Sequence, residues 1–158
     1  MNKQEFEKFL HSKIPITKAM GIEVIEFTPS RVRMLAKLDA NINDKMTAFG
    51  GSINGLMTIC GWTMVFKNIK EMDSEADIVI KKSSINYLAP IREDFIAECE
   101  LTDEEVRKEF IETYSRQKKS RLNLKISIKN KTTTFAEYEG QYVAFSKNYI
   151  TKERKNGN

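Results

Sequence analysis

Period-two alternation is clearest at Leu122, Leu124, Ile126 and Ile128, set against Arg121, Asn123, Lys125 and Ser127. That is the pattern of a strand with one face on a core. Phe95, Ala97, Cys99 and Leu101 repeat it, and so do Val32, Met34, Ala36 and Leu38. Residues 22–27 and 31–38 therefore read as a hairpin turned at Pro29-Ser30. Residues 77–88, 95–101, 121–129 and 134–145 read as four further strands. Residues 4–12 predict a short helix, and Pro15 opens a helical turn that Gly21 ends. Residues 103–117 are polar, with Val106, Phe110, Ile111 and Tyr114 at helical spacing, so they predict a surface helix.

Residues 52–71 differ from all of these. Ile53, Leu56, Met57, Cys60 and Met64 share one helical face, and Ile59, Trp62 and Phe66 fill much of the rest. A helix apolar on nearly every side up to Lys67 must be wrapped by other structure. The expected architecture is α+β: a curved antiparallel β-sheet wrapped around one long central helix.

A length of 158 residues fits a single domain, with its core at about residues 15–147 and a basic tail at 148–158; the final dozen residues of the chain are expected to fray. Lys and Arg exceed Asp and Glu by 26 − 22 = 4, too few and too scattered to argue for nucleic acid. Cys60 and Cys99 lack metal-ligand spacing and suit a reducing compartment. The polar N-terminus is no signal peptide, and the apolar run 53–66 is too short to insert in a membrane. A soluble, cytoplasmic protein is expected. The single histidine, His11, lies in an amphipathic stretch away from any nucleophile, which disfavours Ser-His-Asp and Cys-His chemistry.

The candidate chemistry lies in Asn43-Asp44-Lys45-Met46-Thr47-Ala48-Phe49-Gly50-Gly51-Ser52, which runs directly into the apolar helix. Two glycines at a helix mouth leave backbone N–H groups uncovered, where the helix dipole is positive. Such an end polarises a carbonyl or holds an oxyanion. Asn43, Asp44, Gly51, Ser52 and Thr58 are the candidate catalytic residues, with Thr47, Phe49, Gly50, Asn54 and Met57 as candidate substrate contacts. Each side chain also has a plainer reading. Asn43 and Asp44 could cap the loop, Ser52 could be the helix N-cap, and Thr58 could bond back to its own helix. Cys60 reads as core, and Met57 and Met64 read either as core or, with Phe49, as an acyl tunnel.

The order of elements and the glycine pair resemble the hot-dog fold of acyl-coenzyme A thioesterases and dehydratases. Thr47-Ala48-Phe49-Gly50-Gly51-Ser52, then Asp77-Ile78-Val79-Ile80, Ile85-Asn86-Tyr87-Leu88 and Pro90, are similar to the thioesterase-like domain found at the C-terminus of YiiD-type acetyltransferases. The resemblance implies hydrolysis of thioesters of coenzyme A or acyl carrier protein. It implies no metal or bound cofactor, and a homodimer or dimer of dimers with the site at the subunit interface. The basic cluster Arg116, Lys118, Lys119 and Arg121 is then a candidate grip for coenzyme A phosphates or an acidic carrier; its plainer reading is a solvated face. Larger hot-dog thioesterase families place a His and an acidic residue where this chain has Phe49 and Thr58. A non-catalytic acyl-thioester sensor is therefore the alternative expectation.

Overall fold

The computed structural model describes residues 1–147 and Tyr149, so the tail at 148–158 otherwise lies outside the described residues. Helix α1 (Lys3–Lys13) opens with a capping box in which Glu5 N–H donates to Asn2 Oδ1 and Asn2 N–H donates to Glu5 Oε2, both at 2.9 Å. It buries Phe6 and Leu10, and the short helix α2 (Ile16–Ala19) follows. His11 Nε2 lies 2.9 Å from the Ile22 carbonyl oxygen, a structural tie near the start of the sheet. Strands β1 (Glu23–Phe27) and β2 (Arg31–Ala36) form the expected hairpin. A 3-10 turn at Asp39–Asn41 and the glycine loop then lead into helix α3 (Gly50–Ile69). Strands β3 (Asp77–Tyr87) and β4 (Phe95–Glu100), helix α4 (Glu104–Gln117), and strands β5 (Lys119–Lys129) and β6 (Thr134–Phe145) complete the order.

The six strands form one antiparallel sheet in the order β1-β2-β4-β5-β6-β3. Helix α3 packs against β2, β3, β4, β5 and β6, so the sheet wraps it as its all-round apolar sequence requires. Leu56, Met57, Cys60 and Met64 have no solvent exposure. Of the sequential pairs only β2–β3 and β3–β4 are separated in the sheet, since among the described residues β3 pairs only with the last strand and takes the outer edge.

Close approach of α3 to β6 rests on small residues. The inward positions of β6 run Ala136, Tyr138, Gly140, Tyr142 and Ala144, all buried. A Cβ at Gly140 would lie 2.8 Å from both tyrosine rings, so glycine is what lets the two rings share one face. At Gly61 of α3 a Cβ would lie 2.6 Å from Tyr142 Cζ, inside a ring with no solvent to swing into. Gly61→Ala gains helix propensity of about 1 kcal/mol. It also overpacks the seam by about 2 kcal/mol and displaces the Tyr142 hydroxyl from the Thr58 carbonyl for about 1 more. The expected result is a net loss of about 2 kcal/mol, read as a melting temperature lower by roughly 4–8 °C.

Candidate active site at the mouth of the central helix

The loop before α3 is held from both sides. Asn41, 3% exposed, donates from Nδ2 to the carbonyls of Met20 (2.8 Å) and Lys37 (2.7 Å). Phe49 N–H in turn donates to Asn41 C=O at 2.7 Å, and Ala48 N–H to Ile91 C=O at 2.9 Å. Within the loop, Asn43 Oδ1 accepts from Lys45 N–H (2.9 Å) and Thr47 N–H (3.1 Å), and Asn43 N–H donates to Thr47 C=O (2.8 Å). Asn43 and Thr47 also meet side chain to side chain, Asn43 Nδ2 lying 3.0 Å from Thr47 Oγ1. Asn43 is therefore an Asx-type organiser of the loop, the plainer of its two readings. Asp44 stands exposed at the loop tip.

Helix α3 starts two residues earlier than the sequence predicts. Phe49, with φ −66° and ψ 131°, is the N-cap, and Ser52 lies inside the first turn, which corrects the reading of Ser52 as N-cap. No side chain caps this end and no acidic residue lies in its first turn. The intrahelical ladder opens with Ile53 N–H to Phe49 C=O at 3.0 Å. The N–H groups of Gly50, Gly51 and Ser52 accordingly have no intrahelical acceptor. Two aromatic rings flank this turn. Tyr87 packs on Gly50 and its hydroxyl donates to Gly50 C=O at 3.0 Å, while the exposed Phe49 ring covers Gly51 so closely that a Cβ there would lie 2.9 Å from Phe49 Cζ.

Further along the same face of α3, Asn54 and Thr58 are half-buried, one turn apart. Thr58 Oγ1 shares a hydrogen bond of 3.0 Å with the Tyr138 hydroxyl, rather than bonding back to its own helix. The Tyr142 hydroxyl donates to Thr58 C=O at 2.9 Å. Burial, with the Tyr138 hydroxyl next in weight, pushes the Tyr142 phenol far above its ordinary range. Tyr87, Tyr138 and Tyr142 are the residues that sequence reasoning missed. The available signal was the Tyr-x-Gly-x-Tyr alternation in β6, which puts both rings on the helix-facing side.

Other candidates lie elsewhere. Met57 and Met64 are fully buried whereas Phe49 is exposed, so the two methionines fill the core and the three do not form a common lining. Cys60 Sγ sits 3.6 Å from the carbonyls of Val32 and Ala97, and burial raises its thiol well above the usual range, as expected of a core residue rather than a nucleophile. The basic cluster lies at the opposite end of the sheet. Lys119 pairs with Phe145, which pairs with Asp77, whereas Tyr87 at the helix mouth pairs with Ala136, which pairs with Ile128. Along β5 the separation is on the order of 30 Å. There Lys118 takes the left-handed conformation that ends α4 (φ 58°), and Lys119 Nζ donates to the Tyr149 hydroxyl at 3.1 Å. Among the described residues, no helix is long and apolar enough to cross a membrane.

A curved antiparallel sheet closed on a long central helix, with the uncapped N-terminus of that helix opening beside aromatic rings, is the architecture of the hot-dog class. Residues 3–146 match the family described as "Putative thioesterase (yiiD_Cterm)", and the chain belongs to that family. It is similar to a crystallised protein of unknown function from Chlorobaculum tepidum TLS, at 27% identity and TM-score 0.84 over 91% of this chain and 94% of the other. It is also similar to a "putative thioesterase" from Shewanella oneidensis, at 27% identity and TM-score 0.76 over 90% and 96%. A thioesterase from Haemophilus influenzae shares the fold at 12% identity and TM-score 0.68, over 92% of each chain.

Proposed function

We propose that this thioesterase hydrolyses acyl thioesters of coenzyme A or acyl carrier protein, with the thioester carbonyl oxygen held at the Gly51 N–H. The observation that carries the reading is the open first turn of α3, where three backbone donors lack intrahelical acceptors and no side chain caps them. Phe49 and Tyr87 flank the acyl group, with Thr47 and Gly50 forming the floor of the entry. Asn43 shapes the loop, and the neighbouring Asp44 is the carboxylate base. Thiolate is a good leaving group, so polarising the carbonyl and placing the water supply most of what the reaction needs.

The site is completed in a homodimer. Strand β3 is an 11-residue edge strand whose Val79 and Ile80 are 44% and 38% exposed. An edge of that length invites pairing with a second copy. Antiparallel self-pairing of β3 about its middle sets the Asp77 end of one copy beside the Tyr87 end of the other. That brings the second copy's Arg116, Lys118, Lys119 and Arg121 to the side of the sheet where the first copy's helix mouth opens. The cluster can then hold the phosphates of coenzyme A or an acidic carrier, which it cannot do within one protomer.

The test is thiol release from a panel of short, long and aryl acyl-coenzyme A substrates. Release that depends on the acyl group is the expected result. Tight binding of acyl-coenzyme A without any release would favour the sensor reading, which draws on Phe49 and Thr58 standing where similar thioesterases carry His and an acidic residue.

A further inference from the structure

Gly50 and Gly51 are the only adjacent glycines in the sequence, and the peptide between them has no side chain on either flank to limit φ and ψ. The donor assigned above to the thioester carbonyl belongs to that peptide. An oxyanion donor acts through preorganisation, so a peptide that rocked about its two glycines would lose much of its effect. Something beyond the glycine pair has to hold it.

A peptide group is one rigid plane, with the C=O of one residue at one edge and the N–H of the next at the other. Gly50 C=O and Gly51 N–H are the two ends of the same plane. The Tyr87 hydroxyl donates to that carbonyl at 3.0 Å, and the direction is fixed because a carbonyl only accepts. The ladder of α3 assigns the same oxygen to the Asn54 N–H four residues on, so both of its lone pairs have a donor. One bond comes from the helix and one from the sheet, which restricts rotation of the plane more than the helix alone. Bonding at the oxygen also draws charge from the peptide nitrogen and makes Gly51 N–H a stronger donor.

Tyr87 works from a fixed base. It is the last residue of β3, in register with Ala136 of β6, and the next N–H, that of Leu88, donates to Phe135 C=O at 2.8 Å. Its ring lies against Gly50, where an added Cβ would be 3.6 Å from Cε1 and Cζ. Phenylalanine would make the same ring contact, so the contribution of the hydroxyl is its bond to this peptide.

We propose that Tyr87 is a positioning residue of the hydrolytic site: its bond to Gly50 C=O orients and polarises the Gly50–Gly51 peptide, so that Gly51 N–H meets the oxygen on which charge develops. This rests on the hydrolytic reading above. In that reaction the water oxygen bonds to the carbonyl carbon while the carbonyl π pair moves onto the oxygen at Gly51 N–H. Collapse breaks the C–S bond, and the proton that the water sheds ends on the departing thiolate, giving one carboxylic acid and one thiol. Tyr87 exchanges no proton and acts only through Gly51, so its effect falls where the oxygen carries most charge, in kcat rather than KM.

The experiment measures thiol release from the acyl-coenzyme A that wild type cleaves best, for the full chain as wild type, Tyr87→Phe, Gly51→Pro and the Tyr87→Phe/Gly51→Pro double variant. Amide spectra of wild type and Tyr87→Phe with isotopically labelled glycine accompany it. Tyr87 is 53% exposed, so loss of its hydroxyl leaves the core untouched. Tyr87→Phe is expected to lower kcat by about five- to tenfold, the loss of one ordinary hydrogen bond, with KM unchanged. In the Gly51→Pro background the same change should cost nothing further, because the donor it serves is gone. The Gly51 amide proton should move upfield in Tyr87→Phe while that of Gly55, one turn further along α3, stays in place. Wild-type kcat in Tyr87→Phe, an equal fold-loss in both backgrounds, or an unmoved Gly51 amide would each overturn the positioning role and leave hydrolysis standing. A Gly51→Pro variant that cleaves at the wild-type rate, or a wild type that releases thiol from no substrate, overturns the reading on which the role rests and the role with it.

Discussion

Gly51→Pro is expected to lower kcat for thioester hydrolysis by about 10²- to 10³-fold, the loss that follows removal of one oxyanion donor. Proline fits the first turn of a helix, where its fixed φ is already helical and no intrahelical bond is lost. The substitution therefore deletes one N–H and leaves the rest of α3 in place. It also adds carbon where the Phe49 ring now lies, and Gly51→Ala is the matched comparison, because it makes the same clash and keeps the donor. Phe49 is 56% exposed and can swing aside, so the alanine variant should lose far less than the proline variant. Near-equal losses in the two would assign the effect to the displaced ring and remove the carbonyl from Gly51. Circular dichroism of both variants should match wild type, since Gly51 is exposed and carries no core packing.

The parts of this site that were legible in the sequence are those that depend on near neighbours. Alternation in residues 121–129 located β5 because that strand has one face on the core, and the all-round apolar character of residues 53–66 located the central helix because it is wrapped on nearly every side. The start of that helix was misjudged by two residues. Capping preference favours Ser52 over Phe49. Two long-range backbone bonds, Phe49 to Asn41 and Ala48 to Ile91, nevertheless fix the chain entry at Phe49, and the glycines follow it into the helix. Asn43 was recognised as a residue of the mouth, but its bonds to Lys45 and Thr47 make it part of the loop's own frame. The basic cluster was legible as a cluster. Its remoteness from the helix mouth was not, because strand order arises from pairings such as Asp77 with Phe145 that no local pattern encodes. The seam was hidden for the same reason, with Thr58 and Tyr138 eighty residues apart.

Raising the pH above about 9 should unfold the protein cooperatively before pH 12, and the cause is built into the same core. Burial raises the Cys60 thiol, with Cys99 adding to it, and burial together with Glu100 raises Cys99 to about 12. Burial also raises the phenol of Tyr142, and that of Tyr114, where the hydrogen bond to Asp73 adds to it. Each is an acid whose neutral form is favoured in the folded chain. In the unfolded chain thiols lose their protons near pH 8.5 and phenols near pH 10. Above those values the unfolded state binds fewer protons than the native state, so stability falls as pH rises and is intact below them. Each group contributes a slope of about 1.4 kcal/mol per pH unit. Two thiols therefore remove about 2.7 kcal/mol per unit above pH 9, and all four groups about 5.4 above pH 10.5. A domain stable by about 5–15 kcal/mol cannot withstand that slope for long. Far-ultraviolet circular dichroism should fall in one step, with phenolate absorbance from the buried tyrosines and reaction of both thiols with Ellman's reagent appearing at the same pH. Tyr142→Phe should reduce the slope by one proton even if it lowers stability at neutral pH. Retention of the native spectrum while all five tyrosines ionise would mean that the seam opens to hydroxide without unfolding, and the α3–β6 contact would then be far looser than its packing at Gly61 and Gly140 requires.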